Sequence, residues 1–537
     1  MTSKTDCLLK CFPYLLSALV LAVVFYARIR LLTVPLERDE GEFAYMGQLL
    51  LKGLPPFTHA YTLKLPGVSI MYAFFMFLFG QTPAGIHAGL LIVNGLCIGL
   101  VYLLTQRLFD RDAALVSCMS YAVLSLSTSV TGLFAHATHF VVMFALAGLL
   151  LLLRSIDNRR VSLLFFSGLC FGLAVTMKQH AVLLLLFAAL YFVRRVRRDP
   201  APGRNLFTAG GCLFLLGALI PYALIVLWTV TSGSFDNFWF WTVQYAREYS
   251  ATPPLALGWI NFTSTFGKIL TAQLPFWLLA GAGCILLCTK PGLCTDRLFV
   301  FGFVFFSFLS ILPGLVFREH YFVLLLPAVA VLTGAAVSSA GLLLSNVKSA
   351  RLKLFIPQLV LMAALAYSLY QEKAFFTLTP REVSRATCGL NPFPEALQIA
   401  DYIRQHTTPD ERIAVLGSEP ELFFYADRLS ATGHIYMYGL MENQPYAERM
   451  QMQMIREIEA ARPKYVVYVN VPTSWKVRKA SIRSVFGWAD GYVQDLYERV
   501  GVIDIIDADT TRYLWDDKAA GYIPLSGAFV TVYKRKG

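Results

Sequence analysis

The chain has 537 residues, of which 56% are hydrophobic, 14% aromatic and 15% charged, with a formal net charge of +12. That composition lies outside the range of soluble globular domains and describes an α-helical polytopic membrane protein. The excess Lys and Arg sit in short connectors between apolar runs, as cytoplasmic loops require, which argues against nucleic acid as a partner.

The first apolar run begins near Phe12, is long enough to span a bilayer and has no small-residue cleavage site after it, so it reads as a retained first helix. Directly behind it comes the tract Glu37-Arg38-Asp39-Glu40-Gly41-Glu42. Charge at a membrane edge is costly and invites a functional reading. A carboxylate here, Asp39 or Glu40, can act as general base on an acceptor hydroxyl or amine; an acidic, solvated loop is the plain alternative. Residues 66–80 are apolar but too short to cross safely.

Further runs of bilayer length begin near Gly85, Ala113, Leu133, Ser162, His180, Leu206, Gln273, Leu298, Tyr321 and Leu354, making eleven spans in all. If 66–80 does not cross, the connectors with Arg107/Arg111, Arg154/Arg159/Arg160, 194–204, Lys290/Arg297 and Lys348/Arg351/Lys353 all share the side of Lys4 and Lys10. The positive-inside rule therefore makes 66–80 a helix in the outer interface, with Lys64 outside near Asp39. Two long loops (about 35–82 and 232–272), the short Arg318-Glu319-His320 segment and the tail then lie outside the cytoplasm.

Several polar groups fall at that outer edge. His136 and His139 bracket Thr138, as metal ligands, proton carriers or hydrogen-bonded structural histidines. Lys178 and Gln179 interrupt two apolar segments; the lysine can hold a lipid phosphate or simply snorkel. Trp239, Trp241, Tyr245, Arg247 and Tyr249 form an aromatic and basic cluster suited to stacking on sugar rings, and equally to an interfacial belt. Arg318 precedes His320 and Tyr321 with almost no loop, and suits phosphate recognition or a turn pair with Glu319.

After about residue 375 the chain turns polar. Helical periodicity at 395–407 and 446–461, and strand patterns at 412–417, 464–470 and 528–533, predict a small α/β domain. The domain division is 1–374 for the membrane part, 375–394 for a linker rich in Thr and Pro, and 395–537 for the extracytoplasmic domain. Gly417-Ser418-Glu419 follows a predicted strand, as a ligand-binding switch point or a loop. The ten cysteines show neither a disulfide framework nor C-x-x-C zinc spacing. No P-loop or dinucleotide fingerprint is present.

Four places together resemble the GT-C superfamily of membrane glycosyltransferases, in the branch holding protein O-mannosyltransferases and bacterial lipid A aminoarabinose transferases. Asp39-Glu40-Gly41-Glu42-Phe43-Ala44-Tyr45 is similar to the family's first-loop acidic motif. Lys64-Leu65-Pro66 through Phe79-Gly80 resembles its Lys-Pro-Pro segment and juxtamembrane helix. Gly172 through Lys178 resembles its Gly-rich helix ending in Thr-Lys, and Arg318 through Pro327 its short loop leading into a Tyr-rich helix.

The resemblance covers about 12–344 and implies an inverting transferase that takes a sugar from a polyprenyl-phosphate donor at the outer face of the cytoplasmic membrane. Its acceptor is a lipid, glycan or protein. Asp39, with Glu40, is implied as the catalytic carboxylate, and Lys64, Lys178 and Arg318 as contacts of the donor phosphate. Glu42, Tyr45, His139, Gln179, Tyr245, Arg247, His320 and Tyr321 are the further substrate-binding candidates. No cofactor is required, although some relatives use a divalent metal. Many relatives carry Asp at the outer start of the fourth span where this chain has Thr138, and His139 can partly substitute. A transporter or flippase is the competing reading; it calls for paired repeats or helices broken near the midplane, and the sequence shows neither.

Overall fold

The computed structural model of the protein describes residues 4–198, 204–251, 254–340 and 349–537. Residues 199–203 and Lys348, parts of two expected basic connectors, lie outside the described residues. A helix lies on each of the eleven apolar runs: Lys4–Arg30, Pro83–Leu108, Arg111–Leu124, Ala137–Asn158, Ser162–Met177, Val182–Arg198, Arg204–Thr231, Leu274–Thr289, Arg297–Leu309, Leu326–Ser338 and Ala350–Gln371.

Among the described residues, five segments are long and apolar enough to cross a membrane: Cys11–Arg30, Pro83–Leu108, Ala137–Asn158, Gln179–Arg198 and Thr208–Thr231. The pair Leu255–Ala272 and Leu274–Thr289, bent by 97°, makes a sixth if counted as one span. Gln273 has non-helical backbone at that bend, and Pro275 in the next turn lacks the N–H that would continue the ladder. The protein is thus a multi-pass α-helical membrane protein with a C-terminal sheet. The 66–80 stretch forms the helix Gly67–Phe79, whose 13 residues are short for a crossing.

The chain divides into two compact units. The first, the bundle unit, comprises Met1–Arg30, Leu90–Ile225 and Pro253–Thr377. Ala137–Asn158 packs along Ser162–Met177, and Leu326–Ser338 packs against both Arg111–Leu124 and Leu274–Thr289. Small residues make such approaches possible. A Cβ on Gly168 would lie 2.0 Å from the Phe214 carbonyl oxygen, and one on Gly172 2.4 Å from that of Ala218. Two buried charges bracket one turn of this unit. The Arg28 guanidinium donates to the carbonyls of Gly132 (3.0 Å) and Ser125 (2.8 Å) and to Asn94 Oδ1 (3.3 Å). The Glu372 carboxylate accepts from Ser127 Oγ (2.6 Å), Thr128 N–H (2.9 Å) and Gln273 Nε2 (3.3 Å).

The second, the sheet unit, comprises Leu31–Gly89, Val226–Thr252 and Leu378–Gly537, so the first outer loop belongs to the same compact unit as the tail. Its five strands are β1 (Ile413–Leu416), β2 (Tyr465–Asn470), β3 (Tyr497–Ile505), β4 (Thr511–Trp515) and β5 (Phe529–Arg535). They form one sheet in the order β1-β2-β5-β3-β4, with β1 and β2 parallel and all other pairs antiparallel. The expected strands correspond to β1, β2 and β5, and the expected helices to Phe393–Gln405 and Ala447–Ala461. A further helix, Pro380–Cys388, occupies the Thr- and Pro-rich stretch and starts with a capping box between Thr379 and Glu382.

Candidate active site

The acidic tract folds as the helix Arg38–Leu51. Glu37 caps its first turn by accepting from the Glu40 N–H (2.9 Å), while the Glu40 carboxylate accepts from the Glu37 N–H (3.3 Å), a reciprocal cap that satisfies two otherwise orphaned donors. Two glycines let this helix press closely on its neighbours in the sheet unit. A Cβ on Gly41 would stand 2.6 Å from the Glu421 backbone nitrogen, and one on Gly47 would stand 3.0 Å from the Ser69 carbonyl oxygen.

On this helix the two adjacent carboxylates part company. Glu40 is fully buried, and its Oε1 lies 3.0 Å from His87 Nε2. Asp39 keeps a side-chain exposure of 19%. Its Oδ1 accepts from Lys64 Nζ at 2.9 Å, and the same ammonium donates to Glu42 Oε2 at 2.7 Å. Glu42 is buried and is held on its other oxygen by the Thr62 hydroxyl. Lys64 also stands 4.4 Å from the ring centre of Phe43, a cation–π contact from the same helix. Burial alone would lower the Lys64 pKa, but Asp39 and Glu42 outweigh it and the group is held above the ordinary lysine value.

Neighbouring groups carry the cost of so much buried charge. Burial raises the Glu37 carboxyl to about 8, and the charges of Asp39 and Glu40 push in the same direction. Burial and the nearby Glu419 raise Glu421 well above the carboxylate range. Burial opposes the charge on Arg38, and the pairing with Glu419 at 2.8 Å overcomes it, so that its pKa is raised. Arg38 further donates to the Ser418 carbonyl (2.5 Å), Tyr438 hydroxyl (3.0 Å) and Asn391 Oδ1 (3.0 Å). The Gly417-Ser418-Glu419 corner after β1 thus receives the guanidinium of the acidic helix.

Of the other candidates in this unit, Tyr45 is buried, accepts from the Ser430 N–H at 2.8 Å and packs on Phe423. Tyr245 is buried at the end of a π-helical turn, Phe240–Tyr245, and donates to Glu442 Oε2 at 2.9 Å. Trp241 is buried too, stacked on Tyr61 at 5.6 Å and 16°. These rings therefore build the wall of the unit, while Trp239 and Arg247 remain exposed.

In the bundle unit, Lys178 ends the Gly-rich helix in extended backbone, and Gln179 opens a 3-10 turn. The Lys178 ammonium lies 3.7 Å from the ring centre of Tyr321. Arg318, half-buried, caps the 3-10 segment Glu319–Leu324 that carries His320 and Tyr321. His320 is buried and stacks on His136 with ring centres 4.1 Å apart at 19°, so it is His136, the N-cap of Ala137–Asn158, that meets the Arg318 segment. His139 is fully buried, and neither ring nitrogen has a hydrogen-bond partner. Lys178, His320 and Tyr321 are thus brought together in this unit.

Three contacts escaped the sequence: His87 on Glu40, Tyr436 on Asp39 and the pairing of Glu419, noted only as part of the corner after β1, with Arg38. Their separations of 47, 397 and 381 residues carry no local periodicity.

Residues 63–228 match the family model described as dolichyl-phosphate-mannose-protein mannosyltransferase. No curated protein sequence matches the chain. Among solved structures, ArnT from Cupriavidus metallidurans bound to undecaprenyl phosphate is 15% identical over 97% of this chain and 98% of its own, with a TM-score of 0.63. The apo state of the same ArnT gives 16% identity over 97% of both chains and a TM-score of 0.61. The Archaeoglobus fulgidus oligosaccharyltransferase in the apo form is 14% identical over 95% of this chain and 75% of its own, with a TM-score of 0.54. The chain therefore shares the fold of the ArnT and oligosaccharyltransferase structures.

Proposed function

We propose that the protein is an integral-membrane glycosyltransferase that moves a sugar from a polyprenyl-phosphate donor to a lipid, glycan or protein acceptor at the outer face of the cytoplasmic membrane, with inversion at the anomeric carbon. The observation that carries this reading is the partly exposed Asp39 carboxylate, fixed by Lys64 on a helix whose other residues are buried from Arg38 to Leu49, in a chain with the GT-C fold. The undecaprenyl phosphate bound to ArnT and the description of the matched family model support the donor class.

In this mechanism Asp39 accepts the acceptor's proton as the acceptor atom attacks the anomeric carbon from the face opposite the phosphate. The bond from that carbon to the phosphate oxygen breaks, and the phosphate leaves with the electron pair. Lys64 in the sheet unit, and Lys178 and Arg318 in the bundle unit, are the cations proposed to stabilise the phosphate charge. Glu40, buried against His87, serves by holding the start of the helix, and Glu42 by anchoring Lys64. Tyr45, His139, Gln179, Tyr245, Arg247, His320 and Tyr321 complete the proposed substrate-binding set. The eleven apolar runs are proposed as spans, with 1–374 the membrane catalytic domain, 375–394 the linker and 395–537 an extracytoplasmic domain.

Asp39→Asn is expected to lower turnover at least about 100-fold, the usual scale for a lost general base, with donor binding retained. Turnover within a few-fold of wild type in the purified variant would remove Asp39 from the mechanism.

A further inference from the structure

We propose that Tyr436, in the polar tail, is a positioning residue for Asp39, so that the C-terminal domain supplies part of the catalytic apparatus. This rests on the reading of Asp39 as the base. The Tyr436 hydroxyl donates to Asp39 Oδ1 at 3.3 Å, the same oxygen that receives Lys64. Its ring centre lies 5.6 Å from the Lys64 ammonium, so one side chain touches both members of the ion pair.

Tyr436 is itself fixed by the helix it serves. Its ring meets that of Tyr438 edge-on, at 4.7 Å and 86°. The Tyr438 hydroxyl accepts from Arg38 at 3.0 Å and donates to the Thr473 carbonyl at 2.7 Å. Arg38 is the residue next to Asp39, so the contacts close a loop: Arg38 to Tyr438, Tyr438 to Tyr436, Tyr436 to Asp39. A carboxylate on one short stem pivots about a single donor, whereas two donors on one oxygen, with charge assistance, fix its rotamer. Small errors in the placement of a base are expensive in rate.

Tyr436→Phe isolates the hydroxyl, because the ring that faces Lys64 and Tyr438 is retained. The test uses the purified full-length protein with a short-chain polyprenyl-phosphate mannose as probe, and follows release of mannose from the lipid phosphate. The expected result is a fall in kcat of about tenfold with the donor KM within twofold of wild type, the pattern of an interaction made in the transition state. In the Asp39→Asn background the same substitution is expected to have no further effect, because both changes act through one carboxylate.

Full kcat in Tyr436→Phe beside a dead Asp39→Asn would overturn the role of Tyr436 and leave that of Asp39 standing. A raised KM at unchanged kcat, or losses that add in the double variant, would also overturn it, since Tyr436 would then bind donor or stabilise the fold independently. Wild-type turnover in Asp39→Asn would overturn the base assignment and the positioning role together.

Discussion

Lys64 is the residue on which the charge of the acidic helix is balanced: one ammonium answers both Asp39 and Glu42, at 2.9 and 2.7 Å. Its position near Asp39 was legible in the sequence, because loop parity predicts both on one membrane face. The division of labour between Asp39 and Glu40 was not legible. Adjacent residues on a helix point about 100° apart, so one of two neighbouring carboxylates must turn inward, and only the tertiary fold decides which. Glu37 carries the residue-scale consequence. Its carboxyl is raised from 4.5 to about 8, so the folded state holds a proton there that the unfolded chain has lost. That contribution to stability is present below about pH 4.5 and is lost as pH rises through about 8. Wild-type thermal stability is therefore expected to decline between pH 5 and 8, and Glu37→Gln, which retains an acceptor for the Glu40 N–H, to flatten the decline. An unchanged slope of Tm against pH in the variant would contradict this.

Among elements, the helix Arg38–Leu51 depends on the tail of its own unit. Arg38 and Glu419 are both buried, and breaking one partner of such a pair typically costs about 3 kcal/mol, because the other is left as an uncompensated charge. Glu419→Gln is accordingly expected to lower the unfolding temperature measured in detergent, and an unshifted Tm would show that the pair does not hold the helix. Sequence periodicity found β1, β2 and β5, whose Val, Ile and Tyr runs sit between Pro or Gly residues. It missed β3 and β4. Glu498, Arg499, Asp504 and Arg512 interrupt their apolar pattern, and the burial of Asp504 is made tolerable by Ser526, Tyr522 and the Leu525 N–H, contacts from distant residues. The helix Leu255–Ala272 falls in a stretch whose sequence predicts a loop, because Asn261, Thr263, Ser264 and Lys268 dilute its hydropathy. Its exposed Leu255, Trp259 and Ile260 nevertheless give it a strongly apolar face.

For the whole molecule, membrane character and the placement of helices on the eleven apolar runs followed from composition and run length. The lengths of the individual helices did not, because 3-10 turns and bends such as the one at Gln273 shorten helices without changing hydropathy. The proposed function accounts for a chain that has no nucleotide fingerprint: a polyprenyl-phosphate sugar is already activated, and such a protein would have to bind lipid, hold a base and stabilise a leaving phosphate. The most direct test of this account is native mass spectrometry of the purified protein with lipid extraction, comparing wild type with Asp39→Asn and adding polyprenyl-phosphate sugar to each. A polyprenyl phosphate, bare or carrying a sugar, is expected to be bound in both. Absence of any such lipid from both samples, even with donor added, would contradict the proposed donor and with it the function.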